Sequence, residues 1–209
     1  DNKVERMSVF SFRASVLAGI IAFGMSAGAA LADGVDAAKG FIQKLGDEAV
    51  GTIAATQNDE DARLRQFRGL LKENFDVPGI GRFVLGRYWR MATPEQRDEY
   101  LKLFEESIIR TYARRFSDYS GETVSVDKAR RDGEDFILVD SLIQRPSGGP
   151  VAVTWRLLDQ GGTFKIVDVV VEGVSMSVTQ RSDFSSVIQS GGGNIEALLK
   201  VMRERLGKA

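Results

Sequence analysis

The sequence predicts an α+β fold: a curved four-stranded antiparallel sheet with helices packed on one face, a helical N-terminal half and further helices at the C-terminus. Three observations predict it. Apolar residues recur at helical spacing from about Val35 to Phe116. Between Gly121 and Gly173 the chain changes to β-branched runs separated by glycine- and proline-rich turns. After Gly173 helical spacing returns.

The first 32 residues read as a leader rather than as part of this fold. Lys3, Arg6 and Arg13 form a basic flank around Met7, which looks like the natural start. Ala14–Ala30 is an uncharged run of small and apolar residues, and Ala30-Leu31-Ala32 before Asp33 fits a small-x-small cleavage pattern. The expectation is a signal peptide cleaved after Ala32, a single domain over residues 33–209, and a periplasmic location. The alternative is a retained anchor. Against it, Gly19, Gly24 and Gly28 dilute a run that is already marginal for spanning roughly 30 Å of hydrocarbon.

The helical elements follow in order. Ala38, Phe41, Ile42, Leu45, Ala49 and Ile53 mark one helix to about Thr56, and Asn58-Asp59 restarts the chain. Leu64, Phe67, Leu70, Leu71 and Phe75 mark a second. Asp76 caps a third with Pro78 in its first turn, presenting Ile80, Phe83, Val84 and Tyr88. Gly79, Gly81 and Gly86 weaken that helix and point to close packing or a bend. Thr93-Pro94-Glu95-Gln96 is a capping box with proline at the first helical position. It opens a long helix carrying Tyr100, Leu101, Phe104, Ile108, Tyr112 and Phe116.

Four strands are expected at Thr123–Asp127, Phe136–Gln144, Val151–Leu158 and Phe164–Val171. The short turns between them imply an antiparallel meander. The last strand is apolar at almost every position except Asp168, so both of its faces should be buried. Glu172-Gly173-Val174-Ser175 turns the chain from sheet to helix. Val174, Val178, Phe184 and Ile188 then mark a helix stopped by Gly191–Gly193, and Asn194 caps a last helix with Leu198, Leu199 and Met202.

Composition removes several chemistries. The chain has no histidine and no cysteine, so Ser-His-Asp and Cys-His nucleophiles and His- or Cys-ligated zinc are excluded. Its 28 basic and 29 acidic side chains leave no excess for nucleic acid or for strong attraction to an anionic membrane. The glycine clusters lack the Lys-Ser/Thr of a phosphate loop. Glu105-Glu106 and Asp132/Glu134/Asp135 read as solvated helix face and turn. Asp168, inside an apolar strand, must be paired or hydrogen-bonded or else take a proton; a catalytic base is the other reading. No metal, cofactor or catalytic residue is assigned. The aromatic side chains alone do not separate a normal core from a pocket.

Two segments do more. Leu85-Gly86-Arg87-Tyr88-Trp89-Arg90-Met91-Ala92-Thr93-Pro94-Glu95-Gln96-Arg97, with Phe75-Asp76 before it and Tyr112 and Tyr119 after it, resembles the MlaC family of periplasmic phospholipid-binding proteins. Phe164 to Met176, followed by Phe184 and Leu198-Leu199, is similar to that family's second signature. The resemblance spans about residues 36–206 and implies an NTF2-like or MlaC-like fold. It also implies a monomeric carrier, not an enzyme, holding membrane lipid with its tails between sheet and helices. Its implied partners are an inner-membrane MCE-type ABC transporter and an outer-membrane lipoprotein complex. Phe83–Trp89 and Tyr112–Phe116 look closer to the hopanoid-associated HpnM branch, which makes hopanoid the alternative cargo to phospholipid.

Taken with the element faces, the resemblance assigns the tail pocket to Tyr88, Trp89, Phe104, Ile108, Tyr112, Val139, Ile143, Val153, Trp155, Val169 and Val171, with Glu172–Ser175 near its mouth. Two further readings stand beside carriage. One is an adaptor of the transporter that carries nothing; the other is a carboxylate enzyme with Asp168 as base and Tyr112 as donor.

Overall fold

The computed structural model describes residues 26–56, 58–115 and 119–207. The chain divides into two units, Asp1–Gly34 and Val35–Ala209. Within the first, the described segment from Ser26 is helical. The rest of the expected leader lies outside the described residues. No helix among the described residues is long and apolar enough to cross a membrane.

The elements run α1 (Ser26–Ala55), α2 (Glu60–Asn74), α3 (Val77–Leu85), α4 (Tyr88–Met91) and α5 (Pro94–Arg115), then β1 (Thr123–Asp132), β2 (Phe136–Gln144), β3 (Val151–Asp159), β4 (Phe164–Val171) and β5 (Val174–Ser175), then α6 (Met176–Ser190) and α7 (Ile195–Gly207). The class is α+β as expected, but the sheet has five antiparallel strands, not four. The extra strand exists because Glu172 and Gly173 both take positive φ (49° and 80°) and fold β5 back on β4. Its pairing covers only Val170–Ser175 and Val171–Val174, too short to leave a pattern.

The caps expected at Asp76, Thr93 and Asn194 form, and Asp59, where the chain restarts, caps α2 as well. Asp59 accepts from Ala62 N at 2.8 Å and Asp76 from Gly79 N at 3.0 Å. Thr93 and Gln96 bond reciprocally, backbone to side chain, at 3.1 and 3.2 Å. Asn194 accepts from Glu196 N at 2.9 Å. The expected third helix is two helices, broken at Gly86, whose φ of 58° and ψ of −128° end α3.

Two hydrophobic cores result. In one, Tyr88, Tyr100, Phe104, Phe184, Ile188, Leu198 and Leu199 pack helix against helix. In the other, Ala38, Ile42 and Leu45 of α1 cover Ile137, Val139, Leu157, Phe164 and Ile166 of the sheet. The expectation of all helices on one sheet face is therefore refined: α1 lies over the face, and α2, α3 and α6 meet the sheet at β4. The junction is tied at Phe75, which bridges Ile166, and Asp76 N donates to Ile166 O at 3.0 Å. Lys165 Nζ donates to the C-terminal carbonyls of Lys72 (3.2 Å) and Glu73, where a cation is favoured.

Candidate functional site

Strand alternation puts one set of side chains on the inner face of the sheet, and register orders them in rows. Val139, Trp155 and Val169 form one row; Ser141, Val153 and Val171 form the next; Ile143 and Val151 follow. Six of the eleven expected pocket residues, Val139, Ile143, Val153, Trp155, Val169 and Val171, thus share one face in adjacent rows. Val139 is fully buried under α1, with Trp155 and Val169 packed beside it. Val153 is buried but belongs to neither core. Ile143 and Val171 are half-buried.

Across these rows α1 comes close to β1. A Cβ on Gly46 would stand 2.9 Å from Val124 Cβ, so only glycine allows the approach without displacement. The Gln43 side chain donates to Val124 O and accepts from Val126 N, occupying backbone groups on the free edge of β1. A buried hydroxyl interrupts the apolar rows. Ser141, which is buried, accepts from Trp155 Nε1 at 2.9 Å and donates to Val153 O at 3.2 Å. Ser141 was not expected in the site. The signal was present, because it occupies the inward phase of Ile137, Val139, Ser141 and Ile143.

The other expected residues sit on helices. Phe104 lies in the helical core, stacked on Tyr100 with ring centroids 5.7 Å apart and edge-on to Phe184 at 6.3 Å. Tyr88 is buried in the same core, and Trp89 and Ile108 pack against it. Arg97 holds Trp89 by donating Nε to its carbonyl at 2.8 Å. Tyr112 is 37% exposed, on a flank of α5 rather than within its buried stripe. Tyr100, between α3 and α5, donates to Gly81 O at 2.9 Å; burial pushes its hydroxyl pKa well above the ordinary value, so it stays a neutral donor. The structure thus brings the sheet residues together and places Tyr88, Trp89, Phe104 and Ile108 in or against a second core, with Tyr112 outside both.

The carboxylates are committed to structure. Asp168 accepts from Val169 N (2.9 Å), Ser175 Oγ (2.6 Å) and Ser177 N (3.1 Å), which anchors the start of α6 to β4. Its bonds are to a strand amide, a serine hydroxyl and a helix amide, the partners a carboxylate in an apolar strand requires. Glu105 and Glu106 are not simply solvated: Arg68 of α2 reaches both, at 3.1 and 2.7 Å, and Arg110 joins Glu106 at 2.8 Å. Asp132 pairs with Arg156 at 2.9 Å. Among the described residues no group of acidic side chains is arranged to hold a metal ion.

These features define an α+β architecture in which a helical bundle flanks a five-stranded antiparallel sheet with one apolar inner face. The chain belongs to the MlaC protein family, whose model matches residues 43–204. It is 25% identical over 172 residues to the intermembrane phospholipid transport system binding protein MlaC of Haemophilus influenzae, covering 78% of this chain and 79% of that protein. It is 25% identical over 135 residues to the toluene tolerance protein ttg2D of Pseudomonas putida, covering 64% of this chain and 63% of that protein, a little under two thirds of its length. A solved phospholipid-binding protein from Ralstonia solanacearum, in complex with a phospholipid, superimposes with a TM-score of 0.65 at 27% identity, covering 79% of this chain and 97% of that one.

Proposed function

We propose that this chain is a soluble periplasmic carrier that holds a phospholipid by its acyl tails and moves it between membranes. The observation that carries the reading is the likeness to a phospholipid complex over 97% of that protein's length. The apolar rows of the sheet supply the matching chemistry. Each buried methylene is worth about 0.8 kcal/mol, so one long acyl chain opposes passage through water by on the order of 10 kcal/mol. A domain that covers the tails removes that barrier by binding alone, without a reaction step.

The inner sheet rows are the wall against which the tails lie, with Ile143, Val153, Trp155, Val169 and Val171 as the residues in contact. Val139 supports that wall from within the sheet core, while Tyr88, Trp89, Phe104 and Ile108 hold together the helical bundle that flanks it. In this reading residues 1–32 direct export and are removed, leaving 33–209 as one lipid-binding domain. The partners are membrane complexes on the two sides, an ABC transporter with an MCE-type component and an outer-membrane lipoprotein complex.

Native mass spectrometry of the mildly purified chain, followed by lipid extraction, tests the reading. One phospholipid per chain is expected. Hopanoid in its place changes the cargo but keeps the carrier. A chain that is empty, and that stays empty after incubation with vesicles, overturns carriage and leaves the adaptor and enzyme readings.

A further inference from the structure

Four arginines surround one depression of about 480 Å³ where α3, α4 and α6 meet: Arg82, Arg87, Arg90 and Arg181, with Phe83 and Trp89 in its wall. We propose that this depression is a binding site for a phosphate group, separate from the apolar sheet face and recognised by guanidinium donors. It goes beyond lipid carriage and stands without it; only the lipid source of the phosphate rests on that reading.

The first argument is ion pairing. Arg68, Arg110, Arg130, Arg131, Arg156 and Arg203 each pair with a carboxylate. Among the described residues no carboxylate pairs with Arg82, Arg87, Arg90 or Arg181. The whole chain carries a net charge of only −1, so this cluster is a local concentration of positive charge, not the general character of the surface. Like charges gathered without counterions repel, and an anion in the depression relieves that repulsion.

The second argument is geometry. Arg181 lies over the Phe83 ring, 5.1 Å from its centroid, and Arg82 over Trp89 at 6.0 Å. Cation–π contact orients a guanidinium through its face while leaving its N–H donors free in the plane. Arg87 lies over Tyr88 at 4.9 Å and uses one donor on the Tyr88 hydroxyl at 2.8 Å. Gly86 permits the approach: a Cβ there would stand 3.0 Å from Arg181 Nε. Oriented, unpaired guanidinium forks suit the oxygens of a phosphate, which accept two parallel N–H bonds from each fork. The aromatic wall and the volume leave space for the substituent of a phosphodiester beside its anionic oxygens.

The test is isothermal titration of the full chain with inorganic phosphate, with glycerophosphoglycerol (a deacylated lipid headgroup) and with uncharged glycerol. Saturable binding of either phosphate compound, weakened about tenfold or more in Arg82→Gln/Arg181→Gln and not by glycerol competition, is the expected result. Tighter binding of the diester identifies a lipid headgroup as the source; tighter binding of inorganic phosphate identifies the free ion. An exposed-lysine control, Lys102→Gln/Lys200→Gln, removes the same charge elsewhere and should leave binding unchanged. Arg87→Gln/Arg90→Gln supplies a second variant should the first fold poorly by circular dichroism. No binding of either compound, or equal binding by the arginine variants, overturns the site. Lipid occupancy of the same variants, read by native mass spectrometry, reports on carriage separately.

Discussion

Trp155 donates its indole N–H to Ser141 Oγ at 2.9 Å, diagonally across the β2–β3 ladder on the inner face of the sheet. Ser141 passes the chain on to Val153 O at 3.2 Å. A buried hydroxyl on an apolar wall is tolerated because both of its bonds are made, and the indole N–H is satisfied without exposing the ring to water.

Ser141→Ala strands that indole N–H and should destabilise the chain by about 1–3 kcal/mol. In a Trp155→Phe background the same replacement should do much less, giving a coupling of about 0.5–3 kcal/mol. Urea denaturation of the four-variant cycle measures it. Additive effects would mean that the bond contributes nothing.

Asp168 joins β4 to α6 through Ser175 Oγ and Ser177 N. Asp168→Ala removes the acceptor for three donors and should lower stability by about 2–4 kcal/mol, with Asp168→Asn intermediate. Thermal melts read the order. Lipid occupancy per folded molecule should not change, which separates an anchoring carboxylate from one acting on the ligand.

Gly86 ends α3 in a conformation that L side chains rarely adopt, with φ at 58°. Gly86→Ala should destabilise by about 1–3 kcal/mol from backbone strain. Arg181 would also be displaced, because a Cβ at position 86 meets its guanidinium. Equal urea midpoints for the two proteins would show that the α3–α4 break relaxes freely.

Glu106 is held below its ordinary pKa of 4.5, first by the Arg110 hydrogen bond and then by Arg68. A folded-state value below the unfolded one means stability is fully present above the ordinary carboxylate range and is lost as pH falls through the folded value. Stability should therefore decline in acid, below about pH 4.5, and Glu106→Gln should flatten that decline. Since the chain has no histidine, stability should be nearly constant between about pH 6 and 8. A pH series of urea midpoints for both proteins tests each limb.

Much of the fold was legible because local chemistry decides it. The Thr93–Gln96 capping box, the Asp76 cap and three of the strands stand where their residues put them. β1 ran further than expected because a bulge between Val126 and Lys128 breaks its alternation, and its second half, Lys128 to Asp132, is charged. The helix break at Gly86 was only half-readable: a glycine marks either packing or a bend, and its φ selects between them. The division into two cores was not readable at all. Helical spacing shows that Phe104 faces inward and strand alternation shows the same of Val139, but neither shows that one meets Phe184 and the other Ile42. The Arg82–Arg181 cluster joins residues about a hundred positions apart, so net charge concealed it. Arg68 with Glu105 and Glu106 is hidden in the same way, because its partners lie on another helix.

Carriage itself is tested most directly by transfer of a fluorescent phospholipid from donor to acceptor vesicles that the chain alone can connect. The account predicts a transfer rate above the spontaneous one that rises in proportion to protein concentration. It also predicts a rate several-fold lower when Val153→Asp places a charge on the inner rows of a chain that still folds. Transfer no faster than the spontaneous rate at any protein concentration would contradict it.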